Sequence, residues 1–262
     1  MDKTSVIGFI LGIVAVGVGM VIKGVSMSAL INPAAILIII AGTIAAVLIA
    51  FPTKTIMKVP SLFKIIFTEK NDMDMYELIE NFSTWAEQSR REGLLSLEST
   101  MDEIEDPFLN SGLQMAIDGQ NPDFIRDVLL EKIEAMEERH EEGALLFSQA
   151  GTYAPTLGVL GAVVGLIAAL GSMDNMDVLG AAISAAFIAT LMGIFTGYVL
   201  WHPFANKLKQ KSKEEVRVKN IMVEGISSIT AGESPAVIRD KLSSFLSSKE
   251  YAKMTKATET ED

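Results

Sequence analysis

The chain has 262 residues, of which 49% are hydrophobic and 21% are charged, and its net charge is -11. Its mean hydropathy of +0.34 is high for a soluble domain, so strongly apolar and strongly charged segments must alternate along it. The absence of cysteine and the presence of only 2 histidines exclude disulfides, thiolate metal centres and multi-histidine metal sites. The acidic balance also argues against nucleic-acid binding.

Four apolar segments are long enough to cross a membrane as helices, because a span needs about 20 apolar residues. They lie at about residues 5–22, 29–51, 143–173 and 178–206. None has the alternating pattern of a membrane β-strand. The sequence therefore predicts an all-α, polytopic membrane protein with four transmembrane helices, the last two of which extend beyond the bilayer.

Charge is concentrated in one part of the chain. Residues 71–142 hold 20 acidic and 5 basic side chains, a net charge of -15, which leaves 17 basic and 13 acidic residues, or +4, elsewhere. The predicted order is transmembrane helices 1 and 2 in residues 1–51 and a helical cytoplasmic loop domain in 52–147. Transmembrane helices 3 and 4 follow in 148–202, and cytoplasmic C-terminal helices and a tail occupy 203–262.

Basic residues accumulate after the second and fourth apolar segments, whereas the turns after the first and third carry almost none. They are Lys54, Lys58, Lys64 and Lys70 in the first group and Lys207, Lys209, Lys211, Lys213, Arg217 and Lys219 in the second. Because basic flanks remain on the cytoplasmic side of a membrane, we expect both chain termini and the acidic segment to be cytoplasmic.

Two amphipathic helices are predicted in the acidic segment from apolar residues at three- and four-residue steps. The first, within residues 75–97, is expected to end at Gly93 and to bury Leu78, Ile79, Phe82, Trp85 and Ala86. The second, over about 123–140, is expected to place one set of residues on a single apolar face: Phe124, Val128, Leu129, Ile133 and Met136.

One short pattern occurs twice in these cytoplasmic segments. Residues 119–127, GQNPDFIRD, resemble residues 232–240, GESPAVIRD. Each copy offers Asn or Ser as an N-cap and Pro in the first helical turn. We expect two similar turns that each start a helix.

No ionisable side chain lies in the central part of any predicted span. Such groups usually mark ion and proton paths, so this chain alone cannot carry a proton across the bilayer. The spans instead carry small residues at four-residue spacing, which lets membrane helices approach closely. The pairs are Gly8 and Gly12, Gly161 and Gly165, and Gly193 and Gly197. Together they predict a tightly packed oligomer.

Three residues in the last two spans each have a structural and a functional interpretation. Thr190 can bond to a carbonyl of its own helix, or it can face a polar interface that holds a partner's carboxylate. Pro155 and Pro203, near the cytoplasmic ends of these spans, can kink or start a helix, or they can form hinges at the membrane boundary.

The chain lacks the nucleotide-binding, zinc-protease and nucleophile-elbow motifs, so we expect neither an enzyme nor a bound cofactor or metal. If the protein performs work, its energy comes from elsewhere. An ion gradient is an adequate source, because one elementary charge crossing 100 mV releases about 2.3 kcal/mol.

Several segments are similar to those of the MotA/PomA family, the A subunits of the bacterial flagellar stator. Residues 149–161, QAGTYAPTLGVLG, resemble the start of the family's third span, and residues 190–194, TLMGI, the core of its fourth. Residues 203–208, PFANKL, resemble the end of the fourth span, and residues 89–98, SRREGLLSLE, the rotor-facing segment. The resemblance extends to about Leu246 and is strongest to members from Bacillus-type bacteria.

The resemblance implies a multi-pass protein of the bacterial inner membrane that acts in motility and chemotaxis. Family members form a homopentameric ring around two copies of the B subunit MotB, which supplies a membrane aspartate and a peptidoglycan anchor. Ion flow steps the ring and pushes the rotor switch protein FliG. The expected partners are therefore MotB, FliG, further copies of this chain and membrane lipid, and no nucleic acid.

The resemblance also assigns roles to individual residues. Arg90 and Glu98 match the family's two rotor-contacting charges, and Pro155 and Pro203 match the prolines tied to conformational change. A third correspondence concerns the ion path, in which Thr190 matches the threonine that faces the aspartate of the B subunit.

Sodium-driven members carry threonines where this chain has Ala162 and Ala189. A methyl group in place of a hydroxyl removes an oxygen ligand that sodium needs, whereas a proton needs only the carboxylate and a water path. We therefore expect proton coupling.

Four other interpretations remain open at this point. A sodium-driven stator subunit differs only in its ion. An energiser of the ExbB/TolQ type has three spans rather than four. A structural scaffold would not need a polar Thr190, and a self-contained channel would need an ionisable residue within its own spans.

Overall fold

The computed structural model describes residues 2–69, 74–171, 173–248 and 250–251. These residues form helices and turns, and no strand occurs among them. Four helices are long and apolar enough to cross a membrane, which confirms the all-α, four-span prediction.

The chain divides into two compact units. The membrane unit comprises Met1–Lys70 and Arg139–Gln210, and the acidic unit comprises Asn71–Glu138 and Lys211–Asp262. Two of the boundaries between the units, after Glu138 and after Gln210, fall inside long helices. The finer assignment of 52–147 and 203–262 to the cytoplasm stays a prediction.

The first two spans are α1 (Lys3–Ile22) and α2 (Pro33–Ala50). The side chain of Asp2 caps α1, and Asn32 caps α2 with Pro33 in the first turn. The second span was predicted to begin near residue 29, but Met27–Leu30 form a separate 3-10 turn. The break follows from Pro33, since the residue before a proline avoids the helical region.

Two short helices follow Pro52, namely α3 (Thr53–Ile56) and α4 (Val59–Phe67). One face of α4 enters an aromatic cluster in which Phe63 lies 5.1 Å from Phe147 and 5.8 Å from Phe204, centroid to centroid. These ring pairs meet edge to face, the arrangement that the ring quadrupole favours. The cluster fixes α4 to the two long helices of the membrane unit.

The first helix of the acidic unit is α5 (Met75–Glu92). As predicted, it ends at Gly93, whose φ is +88°. A 3-10 segment, Leu94–Glu103, and α6 (Pro107–Ile117) follow, and α9 (Pro235–Ser243) packs against α5. All five residues predicted to form the apolar face of α5 are buried in one core, of which Phe82 and Ile79 are fully enclosed.

The two longest helices are α7 (Pro122–Leu170) and α8 (Met176–Thr230). The sequence predicted a separate cytoplasmic helix over 123–140, whereas in the structure this segment is the first part of α7. Residues 141–148 contain no proline that would end the helix. Their single glycine, Gly143, packs against the side chain of Leu62 and stays helical. One helix therefore continues from the acidic unit into the third span.

The predicted apolar face of this segment is wrong at its start. Phe124 is exposed, whereas the neighbouring Ile125 is buried in the core of the acidic unit together with Leu129 and Ile133. A four-residue step from Ile125 reaches Leu129 and then Ile133, which were both predicted on this face. Val128 and Met136 are half-buried, so only the first predicted residue, Phe124, is wrong.

The repeated sequence pattern corresponds to two equivalent turns. Gly119 and Gly232 have φ of +72° and +70°, a conformation that glycine adopts without strain. The following Asn121 and Ser234 side chains accept backbone N–H groups of the helices that they start. The expectation of two similar helix starts is confirmed.

Candidate functional site

The third and fourth spans touch through their backbones. A Cβ atom added to Gly158 on α7 would lie 2.9 Å from the Cα of Gly193 on α8, and one added to Gly193 would lie 2.8 Å from the Cα of Gly158. Such distances leave no room for a side chain. The glycine pair therefore sets the separation of the two helices that carry the predicted ion path.

The small-residue pairs that predicted an oligomer act mostly within one chain. Gly165 faces Ala186, Gly161 faces Ala189, and Gly12 of α1 faces Val199 of α8. Only Gly8, among these glycines, has open space where a side chain would be. The spacing correctly marks close helix packing, but it does not distinguish packing inside a chain from packing between chains.

The three predicted ion-path residues differ in how far they are buried. Ala189 is only 2% exposed and its methyl group faces Gly161. Thr190 and Ala162 are half-buried, and the Thr190 hydroxyl donates weakly to the carbonyl of Ala186 at 3.4 Å. Thr190 and Ala162 thus keep surface available to a partner, whereas Ala189 belongs to the contact between α7 and α8.

Pro155 lies inside α7 and packs against α8. Because proline has no N–H, the carbonyl of Gly151 loses the donor it would have in a regular helix. Gly197 of α8 fits closely here, since a Cβ at that position would meet Pro155 Cγ at 2.6 Å and the Gly151 oxygen at 2.8 Å. Any side chain at Gly197 would separate the helices at this level.

A π-helical turn, Thr196–Trp201, interrupts α8 directly opposite Pro155. It ends at His202, whose ring lies on Gly151 of α7, and Pro203 follows, exposed, without ending the helix. Irregular backbone therefore occurs in both long helices at the same level. This coincidence was not predicted, because a π turn leaves no simple sequence signal.

Two polar contacts at the ends of the spans were also missed. Thr55 and Lys58 both donate to the carboxylate of Glu142, and Lys207 lies 2.6 Å from Asp2. The hydrogen bond from Thr55, then that from Lys58, lowers the pKa of Glu142. Burial is the largest single influence on Asp2 and raises its pKa, but the hydrogen bonds from Lys207, Ser5 and Thr4 and the charge of Lys207 together outweigh it and leave that pKa below the ordinary range.

The predicted rotor contact lies in the acidic unit at the turn between α5 and the 3-10 segment. Arg90 and Glu98 are both exposed, and neither forms an ion pair among the described residues. Gln88 holds the turn by donating to the carbonyl of Ser96 at 2.9 Å, and the Ser96 hydroxyl donates to that of Gly93 at 2.7 Å. A fixed turn thus presents two unpaired charges.

Comparison with known proteins identifies the family of this architecture. A model of the MotA/TolQ/ExbB proton channel family matches residues 100–221, and a model of the motility protein A N-terminal region matches residues 6–93. Motility protein A of Bacillus subtilis (strain 168) is 62% identical over 262 residues, with 100% of this chain and 97% of that protein covered. The chain belongs to the MotA family.

Solved structures agree with this assignment. The chain is similar to one from the flagellar MotAB stator complex of Bacillus subtilis, with a TM-score of 0.91, 63% identity and coverage of 96% of this chain and 99% of that one. It is also similar to one from C. jejuni MotAB, with a TM-score of 0.90, 32% identity and coverage of 95% and 97%. The family predicted from the sequence motifs is confirmed, and it is a family of membrane channel proteins.

Proposed function

We propose that this chain is the A subunit of a flagellar motor stator, which together with a B subunit forms a proton channel and converts ion flow into torque. The observation that carries the proposal is similarity over essentially the whole chain to a subunit of the MotAB stator complex, at 63% identity and a TM-score of 0.91. The chain has no enzymatic role in this proposal.

The partners follow from the same similarity. Five copies of the chain surround two copies of MotB in the inner membrane, and the assembly acts on the rotor protein FliG. The described spans contain no carboxylate in their central parts, so MotB supplies the group that carries the proton. The lysines after the second and fourth spans support cytoplasmic termini and a cytoplasmic acidic unit.

The proton path runs where Thr190 and Ala162 retain exposed surface beside α7 and α8. Proton rather than sodium coupling is supported by the methyl groups of Ala162 and Ala189, which offer no oxygen ligand to a hard cation. The burial of Ala189 against Gly161 adds that its position has no free space for a coordination shell.

Pro155 and Pro203 form the hinge that transmits proton binding to the acidic unit. The support is the irregular backbone around them, with a proline at position 155 that has no N–H to donate to Gly151 and a π turn at Thr196–Trp201. Because regular helical hydrogen bonding is already interrupted at this level, bending here disrupts fewer regular helical bonds than bending elsewhere.

Arg90 and Glu98 contact the rotor. Exposed single charges contribute less than about 1 kcal/mol to folding, so reversing both should leave membrane assembly intact while it lowers torque. The test is a double variant, Arg90→Glu with Glu98→Lys, in a strain that lacks the gene, with Arg91→Glu as the matched control because Arg91 already pairs with Glu87. Full torque from the double variant would refute the rotor contact.

A further inference from the structure

An open cleft of about 650 Å³ lies within the acidic unit. Residues of α5 form one side of it, and the end of the 3-10 segment together with the start of α6 forms the other. None of the described residues that line it is basic, whereas five are acidic: Asp74, Glu77, Glu103, Glu105 and Asp106.

Only two of these carboxylates have a role in the fold. Asp74 caps α5 and Asp106 caps α6. Glu77, Glu103 and Glu105 are exposed and form no hydrogen bond or ion pair within the part of the chain that the structure describes. Negative charges that share one cleft concentrate their field there and attract cations. The three glutamates therefore favour a positively charged occupant.

The lysine that contacts this region does not neutralise them. Lys219 lies 2.9 Å and 2.7 Å from the two carboxylate oxygens of Asp106, and its ammonium group lies 4.8 Å from the centre of the Phe108 ring. It is only 9% exposed. Its charge is thus committed to the start of α6.

The floor of the cleft is apolar and carries one free donor. Leu78, Leu109 and Trp85 line it, and all three are buried. Trp85 is 8% exposed, and its indole N–H makes no hydrogen bond with any described residue. The indole nitrogen, unlike that of Trp201, is not shielded from solvent. Because Trp85 is otherwise enclosed and lines the cleft, this donor opens into it.

These features together fit a peptide segment better than a metal ion. The described residues contain no group of three acidic or histidine side chains placed to hold a metal, and an apolar floor supplies no ligands. Lysine and arginine form charge-assisted hydrogen bonds with carboxylates. An apolar side chain of the same segment covers the floor, and a backbone carbonyl accepts the indole N–H.

We infer that this cleft binds a segment of a partner protein in which lysine or arginine side chains flank an apolar one. The basic side chains pair with Glu77, Glu103 and Glu105, and the apolar one packs on Trp85. Neither Arg90 nor Glu98 lines the cleft, so the site is separate from the proposed rotor contact. The inference does not depend on the transported ion.

The test uses the full-length protein, purified with its bound partners in nanodiscs of zwitterionic lipid. The probe is a fluorescent peptide with the sequence Gly-Lys-Leu-Lys-Leu-Lys-Gly, and its Kd is measured by anisotropy at physiological salt. Empty nanodiscs report any binding to lipid. We expect binding to the native protein that weakens as the salt concentration rises.

Two triple variants separate the cleft from the general acidity of the chain. The first neutralises the cleft with Glu77→Gln, Glu103→Gln and Glu105→Gln, and it should raise the Kd about ten-fold, since each exposed ion pair contributes a fraction of 1 kcal/mol. The control removes the same charge from exposed residues of α7 outside the cleft and should leave the Kd nearly unchanged: Glu131→Gln, Glu134→Gln and Glu138→Gln.

Trp85→Phe tests the floor, because it keeps an aromatic ring and removes the donor. It should raise the Kd about five-fold, as the loss of one hydrogen bond does. Native protein that does not bind the peptide, or equal weakening by the two triple variants, overturns the inference. Displacement by spermidine as effective as that by unlabelled peptide also overturns it, since the cleft would then take any small polycation. The two triple variants decide the question if Trp85→Phe does not fold.

Discussion

At the scale of single residues, the clearest constraint is the contact between Gly158 and Gly193. Gly158→Ala places a methyl group 2.9 Å from the Cα of Gly193, and overpacking of this kind destabilises a protein by about 1–3 kcal/mol. We expect a lower thermal unfolding temperature of the purified protein and reduced swimming.

Gly8→Ala is the control for this substitution, since Gly8 is also helical but has no atom within 4 Å of an added Cβ. It should leave unfolding and swimming unchanged. Equal effects from the two substitutions would mean that glycine content, rather than the contact of α7 with α8, determines stability here.

A second residue-scale prediction concerns the pair of Asp106 and Lys219 in the acidic unit. Asp106 accepts the N–H groups of Phe108 and Leu109 at the start of α6, and it lies 2.7 Å from Lys219, which is 9% exposed. Asp106→Ala removes the cap and leaves the lysine charge unpaired, so the free energy of unfolding should fall by about 3 kcal/mol.

The same pair predicts the acid response. Burial is the largest single influence on Asp106 and raises its pKa, but the hydrogen bonds from Lys219, Leu109 and Phe108 and the charge of Lys219 together outweigh it, so the folded pKa lies below the ordinary value. A lowered folded pKa adds stability above the unfolded pKa, about 3.9 for aspartate, and this stability is lost as pH falls through the folded value. Urea titrations at pH values from 6 to 3 should show that the free energy of unfolding falls less for Asp106→Asn than for the native protein. Parallel curves would contradict the assignment.

At the scale of elements, Gly93 forms the turn that presents Arg90 and Glu98, the proposed rotor contact. Its φ of +88° and ψ of 164° lie in a region that essentially only glycine adopts, at a cost of about 1–3 kcal/mol for other residues. Gly93→Ala should therefore shift the turn that follows Arg90 and precedes Glu98, and it should lower motor torque in bead assays.

Gly119→Ala is matched to this variant, because Gly119 also has positive φ, +72°, and open space around it. It introduces strain at a turn that carries neither charge. If both variants lowered torque equally, the cause would be general destabilisation of the acidic unit and not the position of Arg90 and Glu98.

The elements also explain which parts of the structure the sequence could predict. Long apolar runs and Gly93 are local signals, so the four spans and the end of α5 could be predicted. The face of α7 near Phe124 could not, because two overlapping sets of apolar residues fit the same period and only contacts with the core select Ile125.

Contacts between distant parts of the chain left no local signal. The hydrogen bond of Thr55 to Glu142 spans 87 residues, and neither π turn, Leu37–Ala41 or Thr196–Trp201, contains a proline or another simple sequence signal. The family motifs located the prolines and the charges but not these connections.

At the scale of the whole molecule, the chain combines a membrane unit that has no carboxylate in its central spans with an acidic unit that exposes unpaired charges. The first property is the reason we propose that a partner carries the proton, and the second is the basis of the proposed rotor contact. A proton crossing 100 mV supplies about 2.3 kcal/mol, so ion flow can drive the cycle without nucleotide hydrolysis.

The central claim is that the chain couples proton flow to flagellar torque, and a bead assay on single motors tests it most directly. In a strain that lacks the gene, filaments should be present but stationary, and induction of the gene should restore rotation in discrete speed steps as stators join. A protonophore should stop the restored motors, whereas removal of sodium should not. Motors that rotate normally without the gene, or that stop when sodium is removed, would contradict the claim.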